Sequence, residues 1–84
     1  MYEVRITKAA KKEYLKLPPG IRQRIRPAID ALAEDPRPPG CHKLSGTDST
    51  YRIRVGDYRV IYDVYDGRLL VLIIRVRHRS EAYR

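Results

Sequence analysis

The chain has 84 residues, of which 43% are hydrophobic and 33% charged, which excludes a disordered protein and allows one globular domain, residues 1–84. Its longest apolar run, 69–74, is too short to cross a bilayer, and its single cysteine excludes an internal disulfide; both favour a soluble protein of the reducing cytoplasm. The net charge of +8 favours a polyanionic partner, most often a nucleic acid.

The N-terminal half is predicted to contain one strand and two helices. Apolar and polar side chains alternate over 2–6, which is typical of a short strand, and Thr7 suits the N-cap of a helix that ends at the PPG segment 18–20. Apolar residues at spacings of three and four predict a second helix over 21–33, and Pro27 inside it predicts a kink or a later start. We expect the two helices to form a hairpin.

Two hairpins are predicted for the C-terminal half, after a proline- and glycine-rich loop over 34–50. The stretch 50–67 alternates with period two and is rich in tyrosine, isoleucine and valine, which indicates two strands joined by a turn at Gly56-Asp57. Asp66-Gly67 is a second two-residue turn signal, and the apolar residues 69–76 then predict a buried strand before a polar tail. This order of elements predicts an α+β domain, in which the helix hairpin covers one face of a three-stranded antiparallel meander.

Three arginines are predicted to share one face of the first hairpin. A turn at Gly56-Asp57 places Arg54 opposite Arg59, with Arg52 on the same face two residues earlier. Like charges directly opposite one another destabilise a sheet, so this arrangement indicates an anion bound among them. Guanidinium groups bind phosphate through paired hydrogen bonds and stay charged at physiological pH. The alternative is that these arginines are solvated strand residues without a ligand.

Other chemistries find little support in the sequence. His42 and His78 are far apart and have no accompanying carboxylate or cysteine cluster, so we predict no metal and no cofactor. Cys41 lies beside His42, but adjacent residues rarely orient one another as nucleophile and base. When RNA is cleaved by attack of its own 2′-hydroxyl, the reaction needs no metal ion and no protein nucleophile. It needs a base, cations around the phosphorane and an acid, which arginines and Tyr83 could supply.

Three segments of the chain resemble the RelE toxins of bacterial and archaeal toxin–antitoxin pairs. They are KL-x-G at 43–46, YRIRVGDYRVIY at 51–62 and VRHRSEAYR at 76–84. The resemblance implies a microbial-RNase-like fold and an endonuclease that cuts mRNA in the A site of the ribosome, in contact with 16S rRNA. It also implies a RelB-like antitoxin that wraps and silences the toxin, and contact with operator DNA only through the antitoxin complex.

The same resemblance implies roles for individual residues. The family has a phosphate-binding arginine, an arginine taken as the acid and a tyrosine taken as the base, which match Arg59, Arg77 and Tyr83. Two basic strand residues of the family, lysines in its best-known members, match Arg52 and Arg54. We expect the other basic residues of these segments to bind RNA, and the last two could replace the acid: Lys43, His78 and Arg79.

Arg77 and Arg59 belong to opposite faces of the sheet if strict alternation continues from the turn at Asp66-Gly67. For both side chains to reach one phosphate, a β-bulge or a strand end near Val76 has to place Arg77 on the same face of the sheet as Arg59. We therefore expect an irregularity in the last strand.

Two other classes of function remain open. The ParE branch of the same superfamily has the same fold but is a non-enzymatic inhibitor of DNA gyrase, and it would not need all of these arginines together with Tyr83. The other class is a plain basic RNA- or DNA-binding module, against which the sequence lacks the stacking aromatic residues of a recognisable RNA-binding motif.

Overall fold

The computed structural model describes residues 1–80, and Tyr83 lies outside them. These residues form a five-stranded sheet with two helices against one face. The strands are Glu3–Ile6 (β1), His42–Lys43 (β2), Thr50–Val55 (β3), Tyr58–Tyr65 (β4) and Leu70–His78 (β5), and the helices are Lys8–Leu15 (α1) and Pro19–Ala31 (α2). The order across the sheet is β1-β5-β4-β3-β2, with β1 parallel to β5 and the other pairs antiparallel. The predicted α+β architecture is confirmed.

The core lies between the helices and one face of the sheet. Val60, Tyr62 and Val64, alternate residues of β4, are buried in one cluster with Ile25 and Ile29 of α2. No helix within residues 1–80 covers the opposite face of β3, β4 and β5, which we call the open face. Neither of the two helices within residues 1–80 has the length and apolar character that a membrane-spanning helix requires.

The first hairpin and the first helix start are as predicted. Val55 pairs with Tyr58, so the turn consists of Gly56 and Asp57. Gly56 has a φ of +60°, a left-handed conformation that glycine adopts without steric cost. The Thr7 side chain accepts a hydrogen bond from the backbone nitrogen of Ala10 (3.1 Å), which caps α1.

The structure differs from the sequence-based predictions at α2 and in the loop that follows it. Of the two alternatives predicted from Pro27, the later start is wrong, since α2 begins at Pro19 and continues through Pro27, while the kink stays a prediction. Proline at the first position of a helix loses no hydrogen bond, and the exposed Pro27 removes only one donor from a surface turn. The predicted loop over 34–50 contains β2, which pairs with the start of β3 and is too short to show a periodicity.

Two predictions for the last hairpin also differ from the structure. Tyr65 pairs with Leu70, so the connection has four residues, a short 3-10 turn followed by Leu69 with φ at 49°, rather than the two of Asp66-Gly67. The last strand reaches His78, so the polar tail starts later than predicted. The two added residues at the C-terminal end, Arg77 and His78, pair with Arg59 and Tyr58, so β5 pairs along the full length of β4.

A polar network joins the loop after α2 to this last turn. Arg37 donates to Asp66 (2.7 Å) and to the hydroxyl of Tyr51 (3.0 Å), and Tyr2 also donates to Asp66 (2.6 Å). The Arg37 guanidinium, with Tyr2 as second donor, holds the pKa of the Asp66 carboxyl below its usual range. These contacts fasten the N-terminus and the loop at the end of the sheet far from the Gly56 turn.

Tyr62→Phe should destabilise the fold. The Tyr62 hydroxyl is buried and donates to the carbonyl of Pro36 (2.8 Å), so its removal leaves a buried acceptor unsatisfied. We expect a loss of about 1–2 kcal/mol in the free energy of unfolding, measured by chemical denaturation. Tyr65→Phe is the control, because the Tyr65 hydroxyl donates to Asp63 (3.2 Å) at an exposed position. Equal effects of the two substitutions would contradict this account of the core.

Candidate functional site

Three arginines form a row straight across the open face. Arg54 of β3 is the direct cross-strand neighbour of Arg59 of β4, which is the direct neighbour of Arg77 of β5. Directly paired residues of a sheet have Cβ atoms about 4.5–5.5 Å apart, so three guanidinium groups are anchored within one small area. We call Arg54, Arg59 and Arg77 the arginine row.

A β-bulge in β5 completes the arginine row. Tyr62 of β4 pairs with Ile73 of β5, and the neighbouring Ile61 pairs with Arg75. Between these two pairs β5 has one more residue than β4, so Ile74 has no partner in β4. Without this extra residue, the arginines of β5 would face the core, because side chains alternate between the faces of a strand. The irregularity predicted for the last strand is confirmed, a little closer to its start than expected.

A second row lies beside the arginine row. Ile61 of β4 has Arg52 of β3 on one side and Arg75 of β5 on the other. His42 of β2 pairs with Arg52 and therefore shares its face. The open face thus presents five arginines around one apolar side chain, an arrangement that suits an anionic ligand with an apolar part.

The members of the arginine row differ in their surroundings. Arg54 is exposed, and its Nε donates to the carbonyl of Gly56 (3.0 Å). The Nη1 nitrogen of Arg59 is buried, so the charge of this central arginine is screened less by water. The Nε of Arg77 donates to the Glu13 carboxylate (2.8 Å), and the side chains of this ion pair are only 30% and 24% exposed.

The structure separates His78 and Arg79 from the arginine row. His78 pairs with Tyr58, and the two rings meet edge to face at 5.3 Å on the helix-covered side of the sheet. Arg79 lies in an exposed turn, where its backbone nitrogen donates to the carbonyl of Asp57 (2.7 Å). Arg79 is thus near the turn of the first hairpin, and His78 is on the face opposite the arginines.

Lys43 also lies apart from the arginines. It pairs with Tyr51, which stacks on the buried Tyr62, so the exposed Lys43 belongs to the helix-covered side of the sheet. Tyr83, matched to the base of the RelE toxins, is among the residues that the structure does not describe, and its role stays a prediction.

Two residues of the site, Glu13 and His42, were not predicted to belong to it, and Arg75 was considered only as one of several basic residues that could bind a phosphate. Glu13 is the one acidic residue of a lysine-rich helix, a signal that sets it apart without naming its partner. Arg75 reaches the open face only because of the bulge, and His42 only because β2 pairs with β3. Within residues 1–80, no three histidine, cysteine or acidic side chains are grouped as ligands of a metal ion would be.

The sequence of this chain is similar to those of known toxins. Residues 4–83 match the sequence model of a family described as the ParE toxin of the type II toxin-antitoxin system parDE. The toxin RelG of Mycobacterium tuberculosis is 34% identical over 84 residues, 99% of this chain and 97% of that protein. The mRNA interferase toxin RelE of Escherichia coli K12 is 35% identical over 78 residues, 88% of this chain and 81% of that protein.

The fold has a close counterpart among solved structures. A chain of the archaeal RelE–RelB complex from Pyrococcus horikoshii superposes with a TM-score of 0.83 at 34% identity, over 95% of this chain and 97% of that chain. A helix-covered sheet with an arginine-lined open face, together with these matches, defines a toxin of a type II toxin–antitoxin system. The chain belongs to the RelE/ParE toxin family and is a RelE-type toxin. The family resemblance of its three segments is confirmed.

Phosphate should bind the arginine row and stabilise the fold. At ten times its dissociation constant, a ligand of the native state adds about 1.4 kcal/mol to the free energy of unfolding. We expect Arg54→Gln to lose most of this gain, because it removes one guanidinium group of the row. The stabilisation by phosphate is measured as the difference between thermal unfolding in phosphate and in chloride at equal ionic strength.

Arg26→Gln is the matched control for this experiment. It removes the same charge from an exposed ion pair with Asp30 on α2. Equal losses of stabilisation in Arg54→Gln and Arg26→Gln would mean that phosphate acts through the net charge of the protein alone. That result would contradict a phosphate site at the arginine row.

Proposed function

We propose that this chain is the toxin of a type II toxin–antitoxin pair and that it cleaves mRNA in the A site of translating ribosomes. The observation that carries the proposal is the arginine row, in which Arg54, Arg59 and Arg77 lie side by side on an uncovered sheet face. The name of the Escherichia coli relative, an mRNA interferase toxin, supports the same activity. The reaction would be attack of a ribose 2′-oxygen on the adjacent phosphorus with loss of the 5′-oxygen.

The arginine row suits the charge that develops in this reaction. As the 2′-oxygen attacks, negative charge builds on the non-bridging oxygens of the phosphorane, and fixed cations lower the barrier by binding this charge. Arg59 stands at the centre of the row, with a neighbour on each side and one buried nitrogen. Arg77 would act at the leaving 5′-oxygen, and Tyr83 would take the proton of the 2′-hydroxyl, the roles that the family resemblance implies.

The second row and the outlying basic residues would bind the RNA chain around the scissile bond. Arg52 and Arg75 could hold neighbouring phosphates, while Ile61 between them offers an apolar contact for a base. Lys43, His78 and Arg79 lie away from the row and would contact the RNA or the ribosome by charge.

The proposed dependence on the ribosome is supported by the need to align the RNA and by the charge of the chain. Arginines hold a phosphate but do not by themselves place the 2′-oxygen in line with the leaving oxygen, and such alignment contributes a large part of the barrier reduction. The ribosome would supply it by fixing the mRNA backbone in the A site. A net charge of +8 favours binding to 16S rRNA beside that site, in the cytoplasm.

A RelB-like antitoxin is the proposed inhibitor. The Pyrococcus horikoshii relative was crystallised in a RelE–RelB complex, and the strongly basic chain suits an acidic or amphipathic antitoxin segment laid over the arginine row. Operator DNA would be contacted only through that complex. Co-expression with the neighbouring small gene should relieve growth arrest, and the two products should purify together.

The second candidate is inhibition of DNA gyrase, because the matching family is named for the ParE toxin. This activity requires no cleavage and gives the arginine row no chemical role. A gyrase supercoiling assay, run beside a ribosome cleavage assay with the same protein, separates the two candidates.

Cleavage should depend on translating ribosomes. Primer extension on programmed ribosomes should show cuts in the A-site codon, whereas free RNA of the same sequence should be cut little, because nothing aligns it. Efficient cutting of naked RNA at the same protein concentration would contradict the proposed role of the ribosome.

Substitutions should separate chemistry from binding. Arg59→Ala, Arg77→Ala and Tyr83→Phe should each lower the single-turnover rate about 10²- to 10⁴-fold at saturating ribosomes, the range for a positioned acid, base or charge. Arg79 and Lys12, an exposed lysine of α1, lie outside the arginine row and would act by charge alone. Arg79→Ala and Lys12→Ala should therefore weaken ribosome binding, make it more sensitive to salt and regain the full rate at saturation. Full rate of Tyr83→Phe at saturation, with folding intact by circular dichroism, would exclude Tyr83 as the base.

A further inference from the structure

A carboxylate from the first helix holds Arg77. The Oε2 atom of Glu13 accepts a hydrogen bond from Nε of Arg77 (2.8 Å), and its Oε1 atom accepts one from the backbone nitrogen of Val76 (3.0 Å). Both partners are separated from Glu13 by more than sixty residues of sequence. One of them is a backbone group of a strand, so the carboxylate has little freedom to turn.

The fold places Glu13 at the edge of β5. β1 pairs with β5 only as far as Ile73, and the chain then turns at Thr7, whose nitrogen donates to the Ile73 carbonyl (2.9 Å). α1 follows directly and runs beside the part of β5 that β1 leaves uncovered. Glu13 satisfies the backbone nitrogen of Val76 on that edge, while the four lysines of this segment lie at exposed positions: Lys8, Lys11, Lys12 and Lys16.

The contact leaves one edge of the Arg77 guanidinium available. Glu13 engages Nε, and neither Nη1 nor Nη2 of Arg77 makes a hydrogen bond to another of residues 1–80. These two nitrogens form a fork that matches two oxygens of a phosphate. A guanidinium that was not held would move away from its charged neighbours Arg59 and Arg54, because like charges on adjacent strands repel.

We propose that Glu13 is a positioning residue that fixes Arg77 at the end of the arginine row, with the Nη1–Nη2 edge presented to the reacting phosphate. The inference rests on the proposed ribonuclease function and adds to it a residue outside the sequence motifs of the family resemblance. The opposite role is a lock, in which Glu13 competes with the phosphate for Arg77. The two roles predict rate changes of opposite sign when the carboxylate is neutralised.

Glu13→Gln tests the proposal. Glutamine keeps an oxygen that can accept from the nitrogen of Val76, but its amide group cannot replace the negative charge beside Arg77. We expect the single-turnover rate on programmed ribosomes to fall about 10- to 100-fold at saturating toxin, the scale of misplacing a reacting group by about 1 Å. The toxin concentration for half-maximal rate should not rise, because the variant is more positively charged than the wild type.

Asp30→Asn is the matched control. It removes the same charge from the exposed Arg26–Asp30 pair of α2 and should leave the single-turnover rate unchanged. A rate for Glu13→Gln equal to that of Asp30→Asn, or higher than that of the wild type, would overturn the positioning role. If the wild type does not cut mRNA on ribosomes, the proposed function itself is refuted. If the wild type cuts and Glu13→Gln cuts as fast, only the positioning role is refuted.

A double substitution separates positioning from a general structural effect. If Glu13 acts through Arg77, Glu13→Gln should change the residual rate of Arg77→Ala by less than about twofold, because the group to be positioned is already gone. A further 10-fold loss in the double variant would overturn the proposal.

Should Glu13→Gln fail to fold, Arg77→Lys carries the test. Lysine retains the charge and can still pair with Glu13, but it has no fork of two nitrogens. The proposal requires Arg77→Lys to lose nearly as much rate as Arg77→Ala, and a wild-type rate would overturn it.

Discussion

The β-bulge at Ile74 is the constraint on which the candidate site depends. β5 pairs with β1 on one side and β4 on the other, and both of its halves contribute to the core. Ile73 and Val76 are both buried although they are three positions apart, which strict alternation of side chains does not allow. The extra residue between them reconciles the two halves. As a consequence, Arg77 lies beside Arg59 instead of in the core.

The arginine row lies over a well-packed part of the core but places like charges on neighbouring strands. Beneath the arginine row, the core residues Ile53, Val60 and Val76 are almost fully buried against the helices. Above it, like charges on three adjacent strands repel one another, and Glu13 forms an ion pair with Arg77 at one end of the row. Because like charges directly opposite one another cost stability, we propose a ligand that carries the opposite charge for this face. The proposed substrate, an RNA phosphate whose charge grows during cleavage, has that property.

The sequence was sufficient for the local parts of this structure. The Gly56-Asp57 turn and the alternation on both sides of it predict the pairing of Arg54 with Arg59, because a two-residue turn fixes the register of its hairpin. Thr7 likewise predicts the start of α1, since an N-cap depends on residues within one turn of helix. The RelE-like segments identified the family, which the comparisons confirm.

The parts that were missed depend on contacts between distant segments. β2 has only two residues, too few for a periodic pattern, and exists because β3 offers it an edge. The position of the bulge follows from packing β5 between two partners, which no local preference encodes. The Glu13–Arg77 pair joins residues 64 positions apart, so a single sequence gives no sign of it beyond an isolated acid in a basic helix.

We propose that the arginine row receives the phosphate at which mRNA is cut. Electron cryo-microscopy of the chain on a ribosome, with a 2′-O-methyl group at the A-site codon to prevent cleavage, would show where that phosphate lies. We expect the scissile phosphate on the open face, with nitrogens of Arg59 and Arg77 within about 3 Å of its oxygens. A phosphate held elsewhere, for example against the helices or at His78, would contradict it.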